Sequence, residues 1–468
     1  MINSAKTSQK GKIREKLNEK GARVYFIGIG GVSMSSLALL MKKRGFRVAG
    51  SDIRKSEITD MLTRCGVSVK ISHSKESIMA FRPDIVVYSL AVDSANPEYK
   101  VSVDMNILTV SRAELLGTLM EDFKTKIGVS GSHGKSTVTA MLGSVFCEIG
   151  CYPTVLCGAE ISEEYGLVAG KEDYLIYEAC EYGDSFLKLP ADIQILLNLE
   201  LDHTDYFKSK EAISESFLRC ANNSRVACVL NYDCPNLRAI ADKITVKTHA
   251  FSKNYDTEYR YEALNIGMAS YSFKLYKAGE LLGEYFPGVR GEFNVANSVA
   301  VAISSHVAGI SYEASARAIK TFRGIKRRLE LINQNATLDV FYDYAHHPSE
   351  ISAVWGALSE MGYKNMSVIF APHTYSRTRS FFDEFVKSLA KFNTVYVTDI
   401  YGARESALVG VNSTALADAI RNAGGRAYAV CQREICELSV KIKEENPDCL
   451  VLMGAGELEK YKEEFMKK

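Results

Sequence analysis

The sequence predicts an α/β protein of three domains built on open, mainly parallel sheets. Apolar, β-rich runs alternate with helical stretches from Arg23 to Gly456, the pattern of strands joined by crossover helices. Two glycine-rich turns, after Ile27 and after Val129, each join such a run to a helix. They lie about a hundred residues apart, a domain's length. At 468 residues the chain exceeds what one core holds.

Met1 to Lys20 is polar with no apolar core, which reads as a frayed helical lead-in rather than a secretory signal. Arg23–Ile27 is the first strand. Gly28-Ile29-Gly30-Gly31-Val32-Ser33 follows, then an amphipathic helix through Leu37, Leu39, Leu40 and Met41, ended at Gly45. Phe46–Gly50 is the second strand, with Asp52 at its C-terminal end. An acidic residue about twenty positions past the glycines resembles a dinucleotide fingerprint. Ser33 stands where that fingerprint has its third glycine, so the turn supports a phosphate at a helix N-terminus more than it supports NAD. Val67–Ile71, Asp84–Tyr88 and Ile107–Val110 continue the alternation, and Ser89 with Ala91 to Pro97 forms a crevice loop.

Lys126-Ile127-Gly128-Val129 leads into Ser130-Gly131-Ser132-His133-Gly134-Lys135-Ser136-Thr137, and a helix follows from Ser136. This is the layout of a phosphate cradle, in which backbone N–H groups and the helix's positive end face the anion. Lys135 reaches the β- and γ-phosphates and the Ser136 hydroxyl ligates Mg²⁺. The usual first glycine is replaced by Val129, leaving Gly-x-x-Gly-Lys-Ser-Thr. Two later strands, Tyr174–Tyr177 and Ile193–Asn198, run into Glu178 and into Asp202-His203. Both sequences put polar side chains at the edge where the phosphate loop lies. Glu178 and His203 are therefore candidate Mg²⁺ ligands; for His203, an unusual ligand type for this ion, a hydrogen-bonding role beside the metal is the alternative.

Phe251 to Phe286 is aromatic and β-like and reads as an appended meander, clearest at Tyr271–Tyr276. A small-residue helix, Asn297 to Val307, follows. Asn294 and Asn297 are three apart and share a helix face, suited to a purine edge or to capping. Lys326-Arg327-Arg328 marks a boundary and is either a solvated run or an anion clamp. The third series contains Val340–Asp343 followed by His346-His347-Pro348, then Met366–Phe370 followed by His373 and Arg377, then Thr394–Thr398, Ala427–Val430 and Cys449–Met453. Arginine there suits a carboxylate.

A net charge of +1 gives no field for nucleic acid or an anionic membrane, and no apolar run approaches the ~20 residues of a membrane span. The 11 cysteines include no Cys-x-x-Cys pair; Cys147/Cys151 and Cys431/Cys436 are the nearest spacings. Scattered reduced thiols in a cytoplasmic protein are the expectation.

Taken together, Gly28-Ile-Gly-Gly, Gly131-Ser-His-Gly-Lys-Ser-Thr, Glu178-Ala-Cys-Glu, Asn198 to His203, Asn294/Asn297, Arg327-Arg328, Asp343-Tyr-Ala-His-His-Pro and His373-Thr-Tyr-Ser-Arg-Thr resemble the three-domain Mur ligases. The resemblance spans about Arg23 to Glu457. It implies a Rossmann-like UDP-sugar-binding domain over residues 1–123, a central P-loop ATPase-like domain with the β meander over 124–323, and a C-terminal Rossmann-like amino-acid domain over 324–468. It implies an ATP-dependent ligase of peptidoglycan precursor synthesis, serving cell-wall biogenesis, cell shape and division. This enzyme joins L-alanine to the lactyl carboxylate of UDP-N-acetylmuramate through an acyl phosphate, with ATP and Mg²⁺. Membrane insertion and nucleic acid play no part.

By motif match, Gly131, Ser132, His133, Gly134, Lys135, Ser136 and Thr137 cradle the nucleotide, and Ser136, Glu178 and His203 hold the metal. Asn294 and Asn297 lie near adenine, Asp343 near the ribose and Arg328 near the γ-phosphate. His346, His347, His373 and Arg377 surround the amino acid and acyl phosphate. Gly28, Gly30, Gly31, Ser33, Asp52 and His73 contact the UDP-sugar. The catalytic set is Lys135, Glu178, His203, Arg328, His346 and Arg377, and either His346 or His203 assists loss of the ammonium proton. Glu211 to Asp242 contains no lysine, which fits the alanine-adding branch, where the carbamylated lysine of sister ligases is absent. Phe293 stands where relatives often have His before the first Asn, which implies a changed contact to the nucleotide; Thr374 stands where some relatives have Arg after His373, which leaves Arg377 as the carboxylate holder.

Other readings are a recycling ligase that attaches a preformed peptide to the same sugar nucleotide, an NAD-dependent oxidoreductase on the first βαβ unit, and a non-catalytic nucleotide-binding scaffold. Gly28-Ile-Gly-Gly and the His373 motif argue against the first. The missing third glycine and the second phosphate loop argue against the second. Intact Lys135, Ser136, Glu178 and His203 argue against the third.

Overall fold

The computed structural model describes residues 2–89, 92–203, 206–265, 271–334, 338–402, 405–431, 434–456 and 458–466; Ala91 of the expected crevice loop lies outside them. The chain divides into two compact units: Met1–Leu199 with Ser214–Tyr259 and Ala300–Ala318, and Glu200–Ile213 with Arg260–Val299 and Ile319–Lys468. The first is called unit 1 and the second unit 2.

Unit 1 begins with the helix Ile2–Asn18, where Arg14 donates to Asp122 at 2.6 Å. Its first sheet is built from β1 (Arg23–Ile27), β2 (Arg47–Asp52), β3 (Ser68–Ile71), β4 (Ile85–Tyr88) and β5 (Leu108–Ser111). The strands are all parallel, in the order β3-β2-β1-β4-β5. Val24, Phe26 and Ile27 of the central β1 are fully buried, as a continuous apolar run in a sheet covered on both faces requires. The order reverses between β1 and β4, which opens a crevice at their C-terminal ends. The helix Val32–Lys43, expected to be amphipathic, is instead buried at every position from Met34 to Met41. Its own sheet covers one side. Strands β7 (Pro153–Leu156) and β8 (Leu167–Val168) cover the other. Ser35, Ser36 and Ala38 keep that contact thin; a Cβ on Gly166 would lie 2.9 Å from Ser36 Oγ.

The second set of strands in unit 1 includes β6 (Thr125–Ser130), β9 (Lys171–Glu178), β10 (Ile193–Leu196), β11 (Ala227–Asn231) and β12 (Thr248–Ser252). Their order is β12-β11-β10-β6-β9-β7-β8, parallel except for β8. Strand β6 is central, so the phosphate loop after it leaves from the middle of the sheet edge.

Unit 2 carries the expected meander as β13 (Tyr259–Asn265), β14 (Tyr271–Lys277) and β15 (Glu280–Tyr285), with β14 and β15 antiparallel. The helix after it runs from Glu292 to Val307, five residues earlier than expected, so that Asn294 as well as Asn297 is helical. The last sheet contains β16 (Glu330–Gln334), β17 (Asp339–Asp343), β18 (Met366–Ala371), β19 (Thr394–Val397), β20 (Ala427–Ala429) and β21 (Cys449–Gly454), in the order β16-β17-β21-β18-β19-β20. Only β16 is antiparallel, and it forms an edge. Strands β18 and β21 are buried at every residue. The α/β class, the parallel sheets and the meander agree with expectation. The ten described cysteine side chains are free. Among the described residues no helix is long and apolar enough to cross a membrane.

Candidate active site

In unit 1 the first anion turn is held by backbone bonds. Gly28 and Ile29 N–H both donate to Ser51 O at 2.9 Å, with Gly28 at φ +79°. Gly30 N–H donates to Asp52 Oδ2 at 2.8 Å, and a Cβ on Gly30 would occupy the same distance from that oxygen. Asp52 thus clamps the turn. Gly31 caps the helix without a side-chain bond, and Ser33 is exposed on its first turn, which leaves the helix's positive end open to an anion.

His73 joins a polar cluster under this turn. Its Nδ1 lies 2.9 Å from Ser51 Oγ and 3.0 Å from Glu98 Oε2. Glu98 is fully buried and also accepts from Tyr25 Oη at 2.9 Å, from Ser74 N–H at 3.3 Å and from the Ser51 hydroxyl. Burial and then the Glu98 carboxylate push the Tyr25 phenol well above its ordinary pKa. Sequence reasoning missed Glu98. Its signal was Asn96-Pro97-Glu98, an N-cap and an N1 proline, which marks a helix start and no chemistry.

The phosphate loop depends on Gly131 (φ +152°) and Gly134 (φ +83°). Gly134 is the N-cap of the helix Lys135–Glu148. Its left-handed conformation favours glycine. A Cβ on Gly131 would lie 3.0 Å from Leu197 Cβ. Asn198, just past β10, pins the loop: its Oδ1 accepts His133 N–H at 2.8 Å and its Nδ2 donates to His133 O at 3.1 Å, while Ser132 N–H donates to Asn198 O at 3.3 Å. Lys135 Nζ donates to Gly131 O, to Ser132 O at 3.3 Å and to Glu181 Oε2 at 3.1 Å. Burial works against the Lys135 charge, but its acidic neighbours, Glu181 foremost and Glu178 with it, together hold the ammonium above its usual pKa.

Ser136 and Thr137 are buried. Glu178 pairs in register with Val129 of β6, which sets it at the loop's edge. Its Oε1 accepts Gly158 N–H at 2.6 Å and Cys157 Sγ–H at 3.0 Å. A hard oxygen pair, Ser136 hydroxyl and Glu178 carboxylate, suits Mg²⁺. Burial, then Glu181, pushes the Cys180 thiol up to about 11, so it stays protonated at neutral pH.

Unit 2 gathers His203, Arg328, Asp343, His346, His347, His373 and Arg377. Asp202 and Arg377 form a buried ion pair, Nη2 to Oδ1 at 2.9 Å and Nε to Oδ1 at 3.3 Å. Burial disfavours the Asp202 carboxylate, yet Arg377, His203 and His346 hold its pKa below the usual range. Arg377, expected to receive a substrate carboxylate, is thus already paired with one. Arg377 Nη1 lies 3.0 Å from His373 Nδ1, and the His373 and His346 rings meet edge to face at 5.7 Å. Burial, reinforced by neighbouring positive charge, pushes His373 down to about 3. Burial pushes His346 down to about 4. His346 Nδ1 lies 2.9 Å from Tyr344 O, so it carries the proton and leaves Nε2 as an acceptor. His203 has φ +52°, and its N–H donates to Asp202 Oδ1 at 2.7 Å.

His347 serves as the N-cap of the helix Pro348–Glu360, in a reciprocal box with Glu350. Glu350 was missed by sequence reasoning. It accepts His346 N–H at 2.9 Å and lies 3.8 Å from Arg328 Nη1. Its His347-x-x-Glu350 spacing signals a cap. Asp343 accepts Leu329 N–H at 2.6 Å and Ala345 N–H at 2.7 Å; burial pushes it up to about 6 against the pull of Arg328. Arg327 and Arg328 are half-buried. Arg327 lies over the Tyr342 and Tyr344 rings at 4.8 and 4.7 Å, so the arginine pair is not a solvated run. Asn294 and Asn297 are buried on one helix face, with Asn297 Nδ2 donating to Asn294 Oδ1 at 3.0 Å. Thr374 stands at φ +64°, ψ +142° and caps the helix Tyr375–Ser380. Phe293 is exposed.

Three family models match successive stretches: the Mur ligase family catalytic domain over residues 23–124, the Mur ligase middle domain over 129–305, and the Mur ligase glutamate ligase domain over 327–456. The UDP-N-acetylmuramate–L-alanine ligase of Caldicellulosiruptor bescii is 35% identical over 450 residues, which are 95% of this chain and 98% of that protein. The Acetivibrio thermocellus ligase of the same name is 36% identical over 456 residues, 96% of each. Among solved structures, the UDP-N-acetylmuramate–alanine ligase of Thermotoga maritima superposes with a TM-score of 0.81 at 26% identity, covering 95% of this chain and 98% of its own. A murein peptide ligase from Psychrobacter arcticus shares the fold at a TM-score of 0.69 and 20% identity, covering 95% of this chain and 98% of its own. With all three models matched in order and relatives of this identity spanning nearly the whole length, the chain belongs to the Mur ligase family.

Proposed function

We propose that this protein is an ATP-dependent ligase of peptidoglycan precursor synthesis, acting in the cytoplasm. It forms the amide between L-alanine and the lactyl carboxylate of UDP-N-acetylmuramate. One observation carries the proposal: a chain similar over nearly its whole length to ligases of that name keeps the full phosphate-loop set of Lys135, Ser136 and Glu178. The proposed domain limits are 1–123 for the sugar nucleotide, 124–323 for ATP and 324–468 for the amino acid.

A carboxylate is a poor acyl donor, and transfer of the γ-phosphoryl group gives it a leaving group. Carboxylate and triphosphate repel, so catalysis is mainly positioning and charge neutralisation. Lys135 exchanges Glu181 for the β- and γ-phosphates. Ser136 and Glu178 hold Mg²⁺, with His203 as a ligand or hydrogen-bonding neighbour, and the ion when bound neutralises phosphate charge. Asn294 and Asn297 face adenine, Asp343 the ribose and Arg328 the γ-phosphate. Gly28, Gly30 and Gly31 shape the turn that lets the UDP diphosphate approach the helix N-terminus, Ser33 contacts it from the first helical turn, Asp52 clamps the turn, and His73 contacts the nucleotide.

His346, His347, His373 and Arg377 line the amino-acid region. A histidine pushed down to about 4 is a weak base toward the ammonium of a free amino acid, which holds its proton several pH units higher. His346 therefore orients the amine through Nε2, and its neutrality keeps it from repelling the ammonium. Phosphate release with ATP, Mg²⁺ and UDP-N-acetylmuramate tests the proposal. L-alanine should stimulate it above L-serine, glycine and a tripeptide. Stimulation by the tripeptide alone would favour a recycling ligase, and no stimulation by any of them would reject the ligase assignment.

A further inference from the structure

Arg112 opens the helix Arg112–Leu119 directly after β5. The helix start does not need it, because Ser111 and Glu114 already form a reciprocal capping box. Among the described residues its guanidinium makes no hydrogen bond and no ion pair. Its position is unfavourable in three respects. The side chain is half-buried, and burial works against its charge. It stands at the positive end of a helix, where a cation is disfavoured. Its five donors, which fit a planar acceptor such as a carboxylate, have no such partner there. A cation retained under these conditions points to an anion brought by a ligand.

Its surroundings say which anion. The helix Arg112–Leu119 packs on Tyr182–Lys188, the segment that follows Glu178-Ala179-Cys180-Glu181. Gly117 allows this, since a Cβ there would fall 2.5 Å from Lys188 O. Arg112 thereby feels the charge of the Glu178 carboxylate, which Lys135 also feels from the phosphate loop. Glu178 is itself held by Gly158 and Cys157. One cation from the sheet of the first anion turn and one from the phosphate loop converge on the same strand end.

We propose that Arg112 receives the lactyl carboxylate of the sugar nucleotide and presents it to ATP, an assignment that rests on the ligase function above. One carboxylate oxygen attacks the γ-phosphorus. The new O–P bond forms as the bond to the β–γ bridging oxygen breaks, and ADP departs with that electron pair. Arg112 stays on the other carboxylate oxygen, which becomes the acyl carbonyl. The amine nitrogen then attacks the acyl carbon, phosphate leaves, and the nitrogen gives up its proton.

The test compares two sugar nucleotides, UDP-N-acetylmuramate and UDP-N-acetylglucosamine, which lacks the lactyl carboxylate. Calorimetric titration of the full-length protein should show that wild type prefers the first. Arg112→Ala should weaken it by roughly ten- to a hundred-fold, the worth of a charge-assisted contact. UDP-N-acetylglucosamine binding should be unchanged and the preference lost. Arg112→Lys should restore part of the preference, and unchanged circular dichroism melting of both variants certifies the fold. Equal losses on both nucleotides would assign Arg112 to the diphosphate or to structure and overturn the proposal, as would no loss on either. If wild type binds neither nucleotide and shows no alanine-dependent phosphate release, the ligase assignment itself fails, a result distinct from the others.

Discussion

The phosphate loop of unit 1 and the histidine–arginine cluster of unit 2 are built from opposite materials. The loop is mostly backbone: two glycines at positive φ, a helix N-terminus and one asparagine that pins His133. The cluster is side chains, from Asp202 through Arg377, His373 and His346 to Glu350 and Arg328, each making contact with the next. A backbone site is fixed by local chain geometry and tolerates change in most of its side chains. A side-chain site holds only while every buried member keeps its partner. The two should therefore fail differently, one in catalysis and the other in stability.

The largest effect is expected at the loop. Lys135→Ala should lower turnover by ~10³-fold or more, because a charge aimed at the transferring phosphoryl group is lost. Some stability should be lost as well, since Glu181 stays buried without its ammonium partner, but the fall in turnover is the larger effect. UDP-N-acetylmuramate binding by calorimetry should survive, since that nucleotide is assigned to the first anion turn. Loss of sugar-nucleotide binding would contradict the assignment of two separate anion turns.

In the cluster the order of effects should reverse. Arg377→Ala leaves Asp202 buried without its arginine, a change that costs about 3–5 kcal/mol when a buried pair is broken on one side. Urea unfolding should show that loss. The double variant Asp202→Asn/Arg377→Ala should recover much of it, because no unpaired charge then remains. If Arg377→Ala instead unfolds like wild type and only raises the KM for L-alanine, Arg377 is a substrate ligand first and a structural ion second.

The same contrast explains what could be read in the sequence. Gly131, Gly134, Lys135 and Ser136 are adjacent, so one short window displays the geometry that their φ values require. Strand ends at Glu178 and Asp343 were legible for a similar reason, since a buried apolar run announces where it stops. The partner of Arg377 lies 175 residues away, and no local pattern joins them. Glu98 and Glu350 were hidden by ordinary helix-start signals, as each occupies a place where an acidic residue is expected for capping alone. The buried helix Val32–Lys43 was misjudged because periodicity registers one covered face, while β7 and β8, absent from the expectation, cover the other.

The smallest effect concerns pH and isolates unit 2. His346 and His373 have folded pKa values pushed down to about 4 and about 3, against about 6.5 when unfolded. The unfolded state thus binds more protons between these limits. Their contribution to stability is present above about 6.5 and is lost as pH falls through about 4. Asp343 acts oppositely. Its folded value of about 6 exceeds the unfolded ~3.9, so its contribution is present at low pH and is lost as pH rises through about 6. Two histidines against one aspartate leave a net loss of stability on acidification from pH 6.5 to 4. The single tryptophan, Trp355, lies in the helix Pro348–Glu360 of unit 2 and reports on that unit alone. Urea midpoints followed by its fluorescence should fall with pH across this window, and His373→Gln, which cannot take up the proton, should flatten the slope. A slope unchanged in that variant would mean that His373 titrates no differently in the folded and unfolded chain, and that its neutrality is not part of what holds the cluster together.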